Sequence, residues 1–182
     1  RSHLLKTAKR IKLIGWRKPR KSACAIWKYC AALIMDIVLP PDFRDFLKLL
    51  NDKEVEYLLI GGYAVAFYGY PRATNDIDVW IALNPSNAER IVAALQEFGF
   101  DSPDLSANLF LIEDRIIRMG MPPMRIEIAT TISGVNFEEC YKVRTKGEID
   151  GLSIPVISLD QLKVNKLASG RFKDLNDLEN LP

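Results

Sequence analysis

This sequence predicts an α/β (α+β) domain: a mixed sheet with flanking helices and a pair of helices at its C-terminal end. Three observations carry that prediction. An apolar run, Tyr57-Leu58-Leu59-Ile60, has the length and composition of a strand buried on both faces. A second run, Asp76-Ile77-Asp78-Val79-Trp80-Ile81, alternates polar and apolar residues with the two-residue period of a strand. Helical patterns precede, separate and follow these strands, an order that places helices on at least one face of a mixed sheet.

The chain has 182 residues, enough for one domain with a sizeable core, or one domain plus a tail. Residues 1–34 hold ten of the twenty-five basic residues and no acid. The remainder holds fifteen basic and all twenty-three acidic residues, a balance of −8. A basic arm on an acidic domain can tether nucleic acid. Residues 1–34 are instead expected to be a basic N-terminal extension outside the native protein, with Met35 as the natural first residue and 35–182 as the domain. The arm is therefore not counted as a sign of RNA binding.

From Pro41, Phe43, Phe46, Leu47, Leu49 and Leu50 fall on one helical face that ends near Asn51-Asp52. The simplest packing for this helix is on the strand that begins at Tyr57. Gly61-Gly62 then stops the apolar run. Two glycines allow an otherwise resisted turn and a close approach of a ligand to the main chain. A short helix over 63–68 follows, and its start suits a phosphate. Pro71-Arg72 turns the chain into the second strand.

On that strand Asp76, Asp78 and Trp80 share one face, and Ile77, Val79 and Ile81 the core face. Asp is uncommon in strands. Two carboxylates this close repel unless a cation lies between them. Hard oxygen donors in this spacing suit Mg²⁺ or Mn²⁺, ions that also bind substrate phosphates. The competing reading is a solvated face with two incidental acids.

Asn84-Pro85-Ser86 opens the next helix, with Ile91, Val92, Leu95 and Phe98 inward and Gly99 closing it. Residues 101–108 read as a loop with one helical turn. Arg115 to Met119 reads as a strand, followed by the turn Gly120-Met121-Pro122-Pro123. In the next strand Met124, Ile126 and Ile128 face one way and Arg125, Glu127 and Ala129 the other. If this strand neighbours Asp76–Ile81, Glu127 joins the two aspartates. Three carboxylates are the set that holds two metal ions. The alternative is a surface Glu127 paired with Arg125 or Arg115.

A loop over 130–136 and a short helix over 137–141 come next. Two strands, 143–149 and 152–156, are joined by the hairpin signal Asp150-Gly151. Ser158-Leu159-Asp160-Gln161 has the spacing of a capping box for a helix that runs to Ser169 and stops at Gly170. Leu159, Leu162 and Leu167 are its expected inward residues. Lys163 and Lys166 stand one turn apart on a neighbouring face. A last helix starts at Arg171, with Leu175, Leu178 and Leu181 inward. Asp174 and Asp177 are candidate partners for Lys166 or Arg171.

The combination of strand, Gly-Gly, helix and Asp-x-Asp resembles the DNA polymerase β-type nucleotidyltransferase superfamily. The wording GGYAVAFYGYPRATNDIDVWI is closer to the small stand-alone bacterial branch similar to the AbiEii-type toxins. The resemblance runs from about Met35 to the end. It implies the twisted mixed sheet of that superfamily and a metal-dependent transfer of a nucleoside monophosphate from a nucleoside triphosphate to an acceptor hydroxyl. Asp76, Asp78 and Glu127 would be the catalytic and metal-binding acids. Gly61, Gly62, Arg72 and Lys166 would bind the nucleotide, with Lys166 reaching the triphosphate. The third acid of the superfamily is usually Asp, so Glu127 departs from its pattern. The implied acceptors are a tRNA 3′ end, a protein or a small molecule such as an antibiotic, and a cognate antitoxin is an implied partner. The other class of function is a non-catalytic nucleotide- or partner-binding module on the same fold, which the Glu at 127 favours.

The remaining composition narrows the chemistry. His3 is the only histidine, so no histidine base is expected in the body of the domain. Cys24, Cys30 and Cys140 are odd in number and lack metal-site spacing, so a reducing cytoplasm is the expected location. No apolar run reaches the length of a membrane helix.

Overall fold

The computed structural model describes residues 37–121 and 123–182. The basic arm and the expected start at Met35 lie outside the described residues, as does Pro122 of the expected turn.

The described residues form a six-stranded mixed sheet. In chain order the elements are α1 (Pro41–Asp52), β1 (Tyr57–Ile60), α2 (Gly61–Phe67), β2 (Asp76–Ile81), α3 (Pro85–Glu97), a 3₁₀ turn (Ala107–Phe110), β3 (Ile116–Met119), β4 (Arg125–Ala129), α4 (Phe137–Lys142), β5 (Thr145–Ile149), β6 (Leu152–Val156), α5 (Leu159–Ser169) and α6 (Phe172–Asn180). The strand order is β3-β4-β2-β1-β6-β5. β1 runs antiparallel to β2 and parallel to β6, while β2 and β4 run parallel. The central position of β1 explains its unbroken apolar run: all four of its residues are buried.

Local chemistry sets most boundaries. Asn84 caps α3 by accepting from the Asn87 backbone N–H, with Pro85 in the first turn. Gly170 closes α5 with a left-handed φ of 64°. Asp150 (φ 51°) and Gly151 (φ 72°) are both left-handed, as a two-residue turn of type I′ between β5 and β6 requires. The sheet's aliphatic face, with Ile77, Val79, Ile126 and Ile128, is buried in one core with Phe43, Phe46, Leu47 and Leu50 of α1 and Ile91, Ala94 and Leu95 of α3.

Several expectations change. α1 packs mainly on α3 and β6 rather than on β1, with Phe46 edge-on to Phe98. α2 begins at Gly61 itself, so the glycines are its first turn and not a loop before it. The helical turn after α3 falls later, at 107–110. Met124 precedes its strand and is exposed, and β5 starts only at Thr145, leaving Val143 exposed. No capping box forms at Ser158, whose side chain makes no cap hydrogen bond. The Gln161 side chain instead accepts from the Cys140 thiol.

The largest departure is in the C-terminal pair. Leu167 is 67% exposed and Leu175 40%, while Lys166 is 3% exposed and Asp174 and Asp177 are fully buried. The helices turn charges inward and leucines outward. Leu162 and Leu181 alone keep the expected full burial, with Leu159 and Leu178 half-buried.

Candidate active site

The register of β2 on β4 builds the site. Asp76 pairs with Arg125 and Asp78 with Glu127, so the two strands are neighbours, which the sequence left as a condition, and all three acids lie on one face. β1 on the other side sets Ile60 opposite Asp78, which brings the chain's turn at Gly61 over the Asp78 carboxylate.

That turn shows why both glycines are needed. Gly61 has a φ of 64°, and a Cβ on it would lie 1.9 Å from Asp78 Oδ2. A Cβ on Gly62 would meet Thr74 Oγ1 at 2.7 Å. The glycines make room for an acid and a threonine of the site, and their backbone stays on the cavity wall.

The cavity measures about 360 Å³ and is lined by Gly61, Gly62, Thr74, Asp76, Asp78 and Glu127, with Arg72, Arg118, Lys166, Arg171 and Lys173 as its cations. The acids differ in their partners. Arg125 donates to both oxygens of Asp76 at 3.2 and 3.3 Å. Arg118, opposite Glu127 on β3, donates to it at 2.8 Å. Glu127 is thus ion-paired, with Arg118 rather than with Arg125 or Arg115. Among the described residues no arginine pairs with Asp78. Burial pushes its carboxyl up to about 6, and the Glu127 charge adds to the rise. Lys173, a Gly62 backbone hydrogen bond and the weaker push of Asp76 complete its surroundings.

A hard divalent cation matches this donor set. Three carboxylates stand at adjacent positions, and a cation there would offset both the burial of Asp78 and the Glu127 charge that together raise its carboxyl. Among the described residues no three acid, histidine or cysteine side chains converge closely enough to chelate an ion. The reason is visible: Asp76 and Glu127 are turned to their arginines, which supply the positive charge.

Arg72 and Lys166 are drawn away from the acids. Arg72 donates to both oxygens of Asp177 at 2.8 and 3.1 Å. Lys166 lies 2.6 Å from Asp174 and 2.8 Å from Asp177, and Arg171 also pairs with Asp174. The expected pairing of Asp174 and Asp177 with Lys166 and Arg171 is therefore present, extended by Arg72. Burial pushes both carboxyls up, but these hydrogen bonds and charges outweigh it and hold them below the usual range.

Sequence reasoning missed Thr74, Arg118, Arg171 and Lys173 as lining residues. Arg118 was within reach, because strand alternation in β3 puts it on the face that meets Glu127. Lys173 was not, because the leucine pattern of α6 gave the wrong rotation.

A second cavity, of about 570 Å³, shares Thr131 with the first and is lined by Trp80, Phe137 and Tyr141 together with Glu56, Glu113 and Glu138. Trp80 stands edge-on to Phe137 at 5.0 Å, and its indole N–H donates to the Thr130 carbonyl.

The sequence profile of the aminoglycoside-2''-adenylyltransferases matches residues 42–181. No curated protein sequence matches the chain. Among solved structures, a protein of Thermotoga maritima provisionally described as a nucleotidyltransferase superposes with a TM-score of 0.54 at 19% identity. The match covers 79% of this chain and 94% of that one, and it shows the fold. A lincosamide antibiotic adenylyltransferase with lincomycin bound matches with a TM-score of 0.47 at 17% identity, over 79% of this chain and 96% of that one. Nothing in these matches favours the toxin branch. No helix among the described residues is long and apolar enough to cross a membrane.

Proposed function

This chain belongs to the aminoglycoside-2''-adenylyltransferase family, and from that premise we propose that residues 35–182 form a domain that moves AMP from ATP to a hydroxyl of a small molecule such as an antibiotic. The observation that carries the reading is the pairing of Asp78 with Glu127 across β2 and β4, beneath the Gly61-Gly62 turn. In the transfer, the acceptor oxygen bonds to the α-phosphorus as the bond from that phosphorus to the bridging oxygen breaks. The hydroxyl proton passes to the Glu127 carboxylate, and pyrophosphate leaves.

Asp76, Asp78 and Glu127 would hold Mg²⁺ or Mn²⁺, which when bound neutralises phosphate charge and acidifies the acceptor hydroxyl. The residues themselves orient and exclude. Gly61 and Gly62 leave backbone beside the phosphates. Arg72 braces the cavity through Asp177. Catalysis of this kind is mostly positioning and electrostatics. The second cavity supports a small, amine-bearing acceptor, since aromatic faces and three carboxylates suit an organic cation.

The test is incubation of the full chain with ATP labelled at the α-phosphate, Mg²⁺ and a panel of aminoglycosides and other hydroxylated antibiotics. One labelled adduct and one pyrophosphate per turnover are expected, and both should vanish in Asp76→Ala. One observation favours a second reading, a nucleotide-binding module: the arginines already neutralise Asp76 and Glu127. ATP binding with no pyrophosphate from any acceptor would select it. Glu127→Gln sharpens the choice, because it should spare ATP affinity and cut turnover by roughly a hundredfold or more, while Glu127→Asp keeps it.

A further inference from the structure

We propose that Lys173, and not Lys166, holds the polyphosphate of the nucleotide, and that Lys166 is the positioning residue that sets Lys173 over the cavity. The inference rests on the adenylyl-transfer reading and adds a residue that neither the sequence pattern nor the family match singles out.

The cations of the cavity differ in what already holds them. Of those lining the cavity, Arg72 and Lys166 are paired with buried aspartates, Arg171 is paired with Asp174 from the surface, and Arg118 is paired with Glu127 through an exposed contact. Lys173 also lines the cavity, and among the described residues no carboxylate lies within ion-pair distance of it. A triphosphate needs cations whose charge is not already spent. Lys166 is also almost fully buried between two aspartates. To reach a phosphate it would leave both of them unpaired in the interior, which is unfavourable.

Helix geometry explains how Lys173 comes to face the site. Asp177 lies one turn after Lys173, on the same side of α6, and Asp174 is the residue next to it. Lys166 and Arg72 hold those two aspartates inward, which fixes the rotation of the helix. Phe172 is left on the far side, 94% exposed. Lys173 then stands at the edge of the inward stripe, exposed, with its charge felt at Asp78. That puts an exposed cation in the lining of the same cavity as the acids, within reach of a phosphate bound there.

The experiment is calorimetric titration of the full chain with inorganic tripolyphosphate, for wild type, Lys173→Gln, Lys173→Arg and Lys166→Arg. Lys173→Gln should weaken binding roughly tenfold to a hundredfold, and Lys173→Arg should restore most of it. Melting temperature should stay the same in both, since the side chain is exposed. Lys166→Arg should lower the melting temperature and weaken tripolyphosphate binding less than Lys173→Gln does. Equal affinity in wild type and Lys173→Gln overturns the proposal, and so does a wild type that binds no tripolyphosphate. A Lys173-dependent affinity in a protein that transfers AMP to no acceptor would uphold the proposal while removing the adenylyl-transfer reading beneath it.

Discussion

Asp174 and Asp177 are wholly buried, yet their carboxyls titrate below the usual range. Asp78 keeps some contact with solvent, yet its carboxyl is raised to about 6. Burial acts upward on all three. The difference is in what surrounds them. The aspartates of α6 each receive two cationic side chains, and among the described residues no buried side-chain polar atom of the molecule lacks a hydrogen-bond partner. Asp78 has Glu127 beside it on β4 and, among the described residues, no arginine paired with it. A satisfied cluster fixes a structure, whereas an acid in a cavity with no ion pair, only the more distant Lys173 charge, is a candidate place for something else to bind.

The largest effect that separates the two regions is on activity. Asp78→Asn removes the one acid of the three in the site that has no ion-pair partner among the described residues, so adenylyl transfer should fall by about a thousandfold or more, with the circular dichroism spectrum unchanged. A variant with near-wild-type turnover would dissolve the contrast.

In the C-terminal cluster the effect falls on stability instead. Lys166→Met leaves two buried carboxylates short of a partner, at a cost of about 3 to 5 kcal/mol. For a domain of this size that is roughly 6 to 20 °C in melting temperature. Thermal unfolding checks it. A drop of only a degree or two would mean that Lys166 is more loosely held than its contacts indicate.

The same comparison has a pH signature, smaller and opposite in sign. Burial, with the Glu127 charge, pushes the Asp78 carboxyl up from its ordinary 3.8 to about 6 in the folded chain. Its folded pKa is raised, so the penalty for keeping it charged is absent below the unfolded value and grows until the pH passes about 6. Asp78→Asn should therefore stabilise the metal-free protein by about 2 to 3 kcal/mol at pH 8 and by almost nothing at pH 4. The α6 aspartates have lowered pKa values, so their contribution is present above the usual carboxylate range and is lost only as pH falls through the lowered values. Urea unfolding of both proteins across that range reads the difference. A gain that does not vary with pH would assign it to shape rather than charge.

Which parts of this contrast the sequence revealed follows from how apolar patterns work. Tyr57–Ile60, the alternation of Asp76–Ile81 and the Asp150-Gly151 turn were legible because burial or backbone geometry there follows residue type directly. Alternation put Asp76 and Asp78 on one face, but Glu127 joins them only through the parallel pairing of β2 with β4, and its Arg118 partner depends on the antiparallel register of β3 with β4. The C-terminal pair was misread because the rule that leucine faces inward loses to a closed ion network. Leu167 and Leu175 yield their places to Lys166, Asp174 and Asp177. No pattern within α5 or α6 shows that Arg72, about a hundred residues earlier, completes that network.

The smallest expected effect tests whether the arginines at the acid cluster belong with the satisfied region or with the functional one. The Arg118 side chain is 54% exposed and its Glu127 partner 17%. An ion pair this open to water adds little, so Arg118→Ala should change stability by less than ~1 kcal/mol. If the pair only occupies Glu127 until a cation arrives, its removal also frees a carboxylate beside Asp78. Repulsion at the cluster then rises, and the affinity for Mg²⁺ should increase a few-fold. Were Arg118 a structural partner of the kind Lys166 is, the same substitution would cost several kcal/mol and leave Mg²⁺ affinity where it was. Measuring unfolding and Mg²⁺ binding on one preparation separates these outcomes, because only an arginine standing in for a cation gives a small stability change together with tighter metal binding.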